Sequence, residues 1–554
     1  MRLLAPLLFF LGLALGGLGA YWLAPDPAPD EGVSKANAAA AEQLMDLAFR
    51  PEDRELMQNT LESHRSRYQQ MRETLIPNPQ APALVFDPRP IGYDYRSDPV
   101  EPEWSYPEDF SRPADDAELA WLSLSELGAL LRNGEISSVE LTEFFLGRLR
   151  EHGDRLEAVI SLTEDRALAQ AETADRELAA GIDRGPLHGI PYGAKDLFAV
   201  EGTRTTWGAA PFEEQVIDET ATVIRKLDES GAVLIAKLTL GALAWGDVWY
   251  GGTTRNPWDP ELEQGASGSS AGSGAATAAG LVPFALGTET LGSLVSPATR
   301  TGTTALRPSF GRVSRHGAMA LSWSMDKVGP MTRSVDDAAR VFAVIDGPDG
   351  KDVSLHPVAF DYQPREGLEG VVIGYLENTF EGASEQDKAV LDDLEALGAE
   401  LRPVALPNLP LGAMQLILDV EAATAFDAFT RDSQADELVR QEEFAWPNVF
   451  RAARFIPAVE YLQANRLRQR LIEEMHEMVA EVDVYVAPSH GNLNLLATNL
   501  SGHPAVTVPN GFDEGERPTS ITFTGGLFED DRLLEVVSAW QVATEHHQAR
   551  PPNF

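Results

Sequence analysis

Residues 265–274 read Gly-Ala-Ser-Gly-Ser-Ser-Ala-Gly-Ser-Gly and run without a break into the apolar stretch Ala275 to Leu286. Between two domains such a segment would be a flexible linker. Leading straight into a buried run, it instead marks a place where backbones approach closely or turn through unusual angles, which only small side chains permit. A phosphate-cradling loop is set aside because no Gly-Lys-Ser/Thr follows. A second small-residue turn, Gly287-Thr-Glu-Thr-Leu-Gly-Ser293-Leu-Val-Ser-Pro297, ends the same run. A serine on such a turn can stand beside several backbone N–H groups, which stabilise a developing oxyanion by about 3 kcal/mol per donor. Upstream, Gly185-Pro-Leu-His-Gly-Ile-Pro191 leads into Tyr192-Gly-Ala-Lys195-Asp196. A lysine placed just after a compact apolar strand is poorly solvated, and desolvation lowers its pKa until the neutral amine can act as a base.

The surrounding chain predicts α/β layers. Ser123 with Glu126 and Ser137 with Glu140 are capping boxes that start two helices separated by Gly134. A strand over 158–162 and an Ala/Glu-rich helix stopping at Gly181 follow. Helical and β-branched runs then alternate, as in 223–230 and 232–236, which argues for a mainly parallel sheet under helices. Ala38 to Leu75 is helical in composition, with Met57, Leu61, Tyr68, Met71 and Leu75 near one stripe. A Pro-rich extended stretch continues to Pro113.

Together the three small-residue and lysine segments resemble the amidase signature family, whose hallmark is a Gly/Ser-rich stretch, a second Gly-Ser turn and a lysine well upstream. The resemblance runs from about Leu119 to the C-terminus through Thr254-Arg-Asn-Pro-Trp-Asp259, Phe310-Gly-Arg-Val-Ser-Arg315, Asp326-Lys-Val-Gly-Pro330 and Gly502-His-Pro-Ala-Val-Thr-Val-Pro509. It implies an α/β amidase signature fold, a central mixed and mainly parallel sheet covered by helices, to which the helical stretch before it adds an N-terminal arm. It implies Lys195 as base, Ser269 as relay through a cis peptide bond and Ser293 as nucleophile. Main-chain N–H groups of Thr290, Leu291, Gly292 and Ser293 would line the oxyanion hole. The implied activity is hydrolysis of a linear C–N amide bond in a small molecule, through a serine acyl-enzyme, with no metal or organic cofactor. The expected organisation is a signal peptide or membrane anchor over 1–25, an arm and linker over 26–115, and a catalytic domain over 116–554. Within the last, 351–480 matches least and would shape the substrate pocket.

Three positions depart from the family pattern. Leu291 stands where glycine is usual, Glu289 replaces aspartate, and Val295 stands where arginine is common. Leu291 narrows the backbone angles open to the oxyanion turn. Val295 cannot clamp a carboxylate, which favours a neutral or apolar acyl group unless a cation such as Arg451 or Arg454 compensates. Two other readings stay open. Gly268-Ser-Ser270-Ala-Gly272 satisfies the nucleophile elbow of α/β-hydrolases, which would make Ser270 the nucleophile of an esterase with a later acid and a histidine from among His316, His490, His503 and His546. An exported binding protein with an inactive site is the other, while a subunit acting on glutamine for an acceptor RNA, which the family includes, is opposed by the export signal and the negative charge.

Charge and composition exclude further classes. The formal net charge of −41 works against binding nucleic acid or anionic lipid headgroups. The absence of cysteine removes disulfides, thiolate nucleophiles and Cys-based metal sites. No His-Glu-x-x-His occurs among the ten histidines. At the N-terminus Arg2 precedes an uncharged run from Leu3 to Ala24, followed by Pro25, Asp26 and acidic sequence. This reads as an export signal, placing the mature body in the periplasm or otherwise outside the cytoplasm. The run also nearly reaches the roughly 20 residues that span a bilayer, with Tyr21 and Trp22 as interfacial anchors. Cleaved and anchored forms are both open, and so is the oligomeric state.

Overall fold

The computed structural model describes residues 33–554 other than 99, 101 and 492. The apolar run read as an export signal lies outside the described residues. No helix among the described residues is long and apolar enough to cross a membrane.

The chain divides between Ile76 and Pro77 into two compact units. The first contains the helices Lys35–Leu44 and Pro51–Arg72. Arg54 on the second helix meets the buried Glu42 on the first at 2.8 Å. The longer helix buries none of its residues, and Tyr68 and Met71 of the expected stripe are exposed.

The larger unit begins at Pro77. The Pro-rich stretch belongs to it because its side chains bond within that unit. Asn78 Nδ2 donates to Ala320 O at 2.9 Å, and the Phe86 ring packs edge-on against Phe310 at 4.9 Å. Both predicted capping boxes form, starting the helices Leu124–Asn133 and Ser138–Leu156, and Gly134 ends the first in the left-handed region. The strands, in chain order, are β1 (Val159–Leu162), β2 (Pro191–Lys195), β3 (Val233–Leu238), β4 (Val248–Trp249), β5 (Gly252–Thr253), β6 (Ala285–Glu289), β7 (Thr304–Arg307), β8 (Lys327–Thr332), β9 (Val372–Leu376), β10 (Glu400–Val404), β11 (Val484–Pro488), β12 (Ala505–Phe512) and β13 (Pro518–Gly525). All but the β4–β5 pair join one sheet of order β1-β3-β2-β6-β8-β7-β12-β13-β11-β9-β10.

The sheet is mixed and helices cover it, which is the expected α/β architecture. Its parallel pairings gather in two blocks, β3-β2-β6 and β11-β9-β10. Parallel neighbours need a crossover, supplied by the helix Thr222–Glu229 between β2 and β3 and by Glu385–Ala396 between β9 and β10. Between the blocks the pairing is antiparallel, as in β12–β13, whose strands are joined by a short turn. The region 351–480 therefore carries two strands of the sheet as well as the helices packed beside it.

β2 and β3 are buried throughout, as is the whole helix Ala271–Ala278. Small residues are required there because the helix lies against backbone. A Cβ on Gly272 would sit 2.5 Å from Thr239 N and 2.7 Å from Ala158 O. Main chain cannot yield as a flexible side chain would, so Gly272→Ala should cost at least the roughly 1–3 kcal/mol typical of overpacking. A thermal melt of the variant should show a clear fall in Tm, and an unchanged Tm would refute the packing argument.

Candidate active site

The parallel neighbours β2 and β6 are in register at Gly193 with Ala285 and Ala194 with Leu286, so both strands run out on the same side. In open α/β sheets that carboxyl end is where ligands bind. Lys195 is the last residue of β2, Thr288 lies near the end of β6, and Ser269 and Ser270 precede the helix Ala271–Ala278. These meet at one amine. Lys195 Nζ is 2.8 Å from Ser269 Oγ, 3.1 Å from Ser270 Oγ and 2.8 Å from Thr288 Oγ1. The peptide bond Gly268–Ser269 is cis. Glycine is obligatory at 268, since a Cβ would fall 1.9 Å from Gly246 O.

Lys195 is fully buried, and its hydrogen-bond partners are hydroxyls. Burial brings its pKa down to about 7, although Asp326 and Glu289 pull the other way. Its chain neighbour Asp196 is engaged elsewhere, with Lys237 at 2.6 Å and Thr206 Oγ1 at 2.6 Å.

The two serines differ in how their protons are used. Ser270 Oγ donates to Thr288 O at 3.1 Å and accepts Thr288 N–H at 3.1 Å. Its bonds tie it to strand β6, and its partners are Lys195 and Thr288, with no histidine among them. The elbow reading of Ser270 fails on this geometry, because the hydroxyl is fully buried and its proton is committed to a carbonyl oxygen. Ser269 Oγ has Lys195 as its partner, so its proton is free to pass to a neutral amine.

Ser293 sits in the turn between β6 and the helix Val295–Thr301 and is half-buried. Its carbonyl accepts Ser270 N–H at 3.2 Å, which holds the turn against the serine pair. Gly292 takes a positive φ of +88°, whereas Leu291 does not. The departure at 291 therefore falls where no left-handed angle is needed, and a leucine fits without backbone strain.

Glu289 fixes that turn. Its Oε2 accepts Leu294 N–H at 2.9 Å and Val295 N–H at 3.0 Å. Its Oε1 accepts from Arg307 at 2.8 Å and from Asn499 Nδ2 at 2.8 Å. Burial alone would raise its pKa, but Arg307 and these bonds win and hold it down at about 2. Arg307 and Asn499 were missed in the sequence, as was Thr288. A signal existed, because a glutamate in a buried run must be paired.

Thr288 on β6 and Thr290, just beyond the strand end, line a cleft of about 830 Å³. Asp326 is also on its lining, accepting from Thr290 Oγ1 at 2.6 Å and from Leu321 N–H at 2.8 Å. Val295 is buried, with Arg307 beside it in a small separate cavity. Arg451 and Arg454, the cations considered as substrate clamps, are paired with Asp436 and Asp427. Among the described residues no group of three His, Cys, Asp or Glu side chains is placed to hold a metal ion.

The sequence profile of the Amidase family matches residues 140–497. The chain is 34% identical over 484 residues to a glutamyl-tRNA(Gln) amidotransferase subunit from Halorhodospira halophila, covering 78% of this chain and 99% of that protein. Its structure is similar to that of the native peptide amidase from Stenotrophomonas maltophilia, with a TM-score of 0.69, 30% identity and coverage of 78% and 98%. An amidase family protein from Bacillus anthracis gives a TM-score of 0.70 at 27% identity, covering 79% of this chain and 94% of its own. With the profile matching well over half its length, the chain belongs to the amidase signature family.

Proposed function

We propose that this chain is an amidohydrolase that opens a linear C–N amide bond through an acyl-enzyme on Ser293, with Ser269 and Lys195 moving the proton. The observation that carries the reading is the buried Lys195 amine, with a pKa of about 7, 2.8 Å from Ser269 Oγ. Neutral Lys195 accepts the Ser269 proton as Ser269 takes that of Ser293, and Ser293 Oγ bonds the amide carbonyl carbon. The oxyanion is met by the N–H groups of Thr290, Leu291, Gly292 and Ser293. When the intermediate collapses the C–N bond breaks, and the proton on Lys195 returns through Ser269 to the leaving nitrogen. Water then repeats the sequence on acyl-Ser293, releasing the carboxylic acid and restoring the serine. The scheme calls for no cofactor.

The relatives named as amidotransferase subunits support a second reading, transfer of the amide nitrogen to an acceptor. A net charge of −41 weighs against a nucleic-acid acceptor. Release of free carboxylic acid and amine in equal amounts, with no acceptor present, would favour hydrolysis. We further propose that the mature body lies outside the cytoplasm, on Arg2 and the apolar run after it. Fractionation of cells should recover it there, and recovery of the intact N-terminus in the soluble cytoplasm would refute this.

Ser293→Ala should remove nearly all amide turnover. Ser269→Ala and Lys195→Ala should each cost several orders of magnitude, and the double variant little more than either, because the groups act as a unit. Turnover by Ser293→Ala at the wild-type rate would overturn the assignment.

The pH dependence follows from the lysine. The base form is neutral, so kcat/KM should fall about tenfold per pH unit below about 7 and level off above it, as Lys195 loses its proton. A profile flat down to pH 5 would show that Lys195 is not the base.

Glu289→Gln leaves Arg307 buried without its carboxylate and loosens the turn that carries Ser293. Breaking such a pair costs about 3–5 kcal/mol, so Tm should fall. In the folded fraction kcat should drop more than KM rises, since the turn and not the cleft is disturbed. A loss confined to KM would contradict this positioning role.

A further inference from the structure

The outer wall of the cleft is built by residues that precede the family match. Pro79, Ala81, Pro82, Ala83 and Val85 line it, facing a cleft whose other lining includes Met319, Leu321 and Trp323. This strap is fixed at both ends. At one end the Asn78 amide pairs with Ala320 as a strand would, donating to its carbonyl at 2.9 Å and accepting its N–H at 2.8 Å, and also reaches Ala425 O at 3.3 Å. At the other, Phe86 packs against Phe310 with the buried Arg468 guanidinium 3.5 Å from its ring centroid, and Pro88 is buried. Between these anchors Pro79 and Pro82 lock their own φ angles, leaving the bridge little freedom.

The charges around the cleft are mostly spoken for. Arg315 is held by Asp352 at 2.8 Å, and Asp326 by Thr290 at 2.6 Å. The buried Lys327 donates to Met325 O, and burial, helped by Arg307, drives its pKa far down, so it offers no cation. Glu219 on the lining stands 3.8 Å from His316 Nε2, and the exposed Lys351 lies at the rim as the one lining cation for which no partner is described. What remains is an apolar passage ending at Thr288, the partner of Lys195.

We infer that the strap Pro79–Val85 is a specificity wall of the substrate site, seating amides that carry an extended apolar chain between it and Met319 and Leu321. Asn78 is its positioning residue. The inference rests on reading the site as that of an amidohydrolase.

The test uses the full chain and straight-chain primary carboxamides from butanamide to decanamide, with Kd by calorimetry and kcat/KM measured in parallel. Wild-type affinity should rise with chain length. Asn78→Ala, which frees the strap, and Ala81→Trp, which narrows the passage from an exposed position, should each leave butanamide within about threefold. Each should weaken decanamide about tenfold or more, the scale of losing contact along a few methylenes. Wild-type affinity that is flat with chain length, or variants that shift all amides equally, would overturn the strap's role. Because Ala81 is exposed, Ala81→Trp keeps the test open should Asn78→Ala melt early. Chain-length-dependent binding without turnover would sink the amidohydrolase reading and leave the strap standing.

Discussion

The rest of the site depends on one desolvated amine. Lys195 lies at the end of a fully buried strand among three hydroxyls, and its pKa of about 7 survives only while no ionised carboxylate stands beside it. At an effective dielectric of about 20, a carboxylate 4 Å away would be worth about 4 kcal/mol, or about three pKa units. That would return the lysine to an ordinary ammonium. The structure keeps the nearby acids occupied. Asp196 faces Lys237, Glu289 faces Arg307, and the Asp326 oxygens accept from Thr290 Oγ1 and from the N–H groups of Leu321 and Ser322.

Bringing the serine pair to that amine is a steric matter, solved by glycines. Gly268 passes against Gly246 O, and Gly272 lets its helix settle on Thr239 and Ala158. A Cβ on Gly287 would lie 2.8 Å from Ser270 Oγ, so the glycine on β6 is what allows Ser270 to bond Thr288 N and O. Ser270 thereby acts as a tether between two segments. The sequence motif that made it look like a nucleophile is explained by packing.

The features legible in the sequence were those set by local chemistry. Both capping boxes and the helix stops at Gly134 and Gly181 come from short patterns with a physical cause, whereas the meeting of Lys195 with Ser269 was implied by the family resemblance. What stayed hidden depends on partners distant in the chain. Nothing near Glu289 names Arg307 or Asn499, 210 positions away in the latter case. The antiparallel middle of the sheet was hidden for the same reason, since alternation of helix and strand says which segments are strands and not which ones meet. Asn78 looked like a linker residue because its partners, Ala320 and Ala425, lie more than 240 positions on.

Strand β6 shows how the chemistry and its support are divided. Alternation along a strand sends successive side chains to opposite faces, and β6 uses both. Thr288 faces the lysine and the cleft, and Thr290 beyond the strand end faces Asp326 in the same cleft. Glu289 faces the other way, into a fully buried ion pair that also grips the N–H groups of Leu294 and Val295. A longer glutamate in place of aspartate can reach both N–H groups of the helix start and the guanidinium at once, with one oxygen for each task. The turn carrying Ser293 is thus pinned from behind by a charge that solvent cannot screen. Because the supporting charge and the lysine's partner are adjacent residues on one strand, a shift of the Ser293 turn relative to Lys195 works against the Glu289 bonds to the Leu294 and Val295 N–H groups.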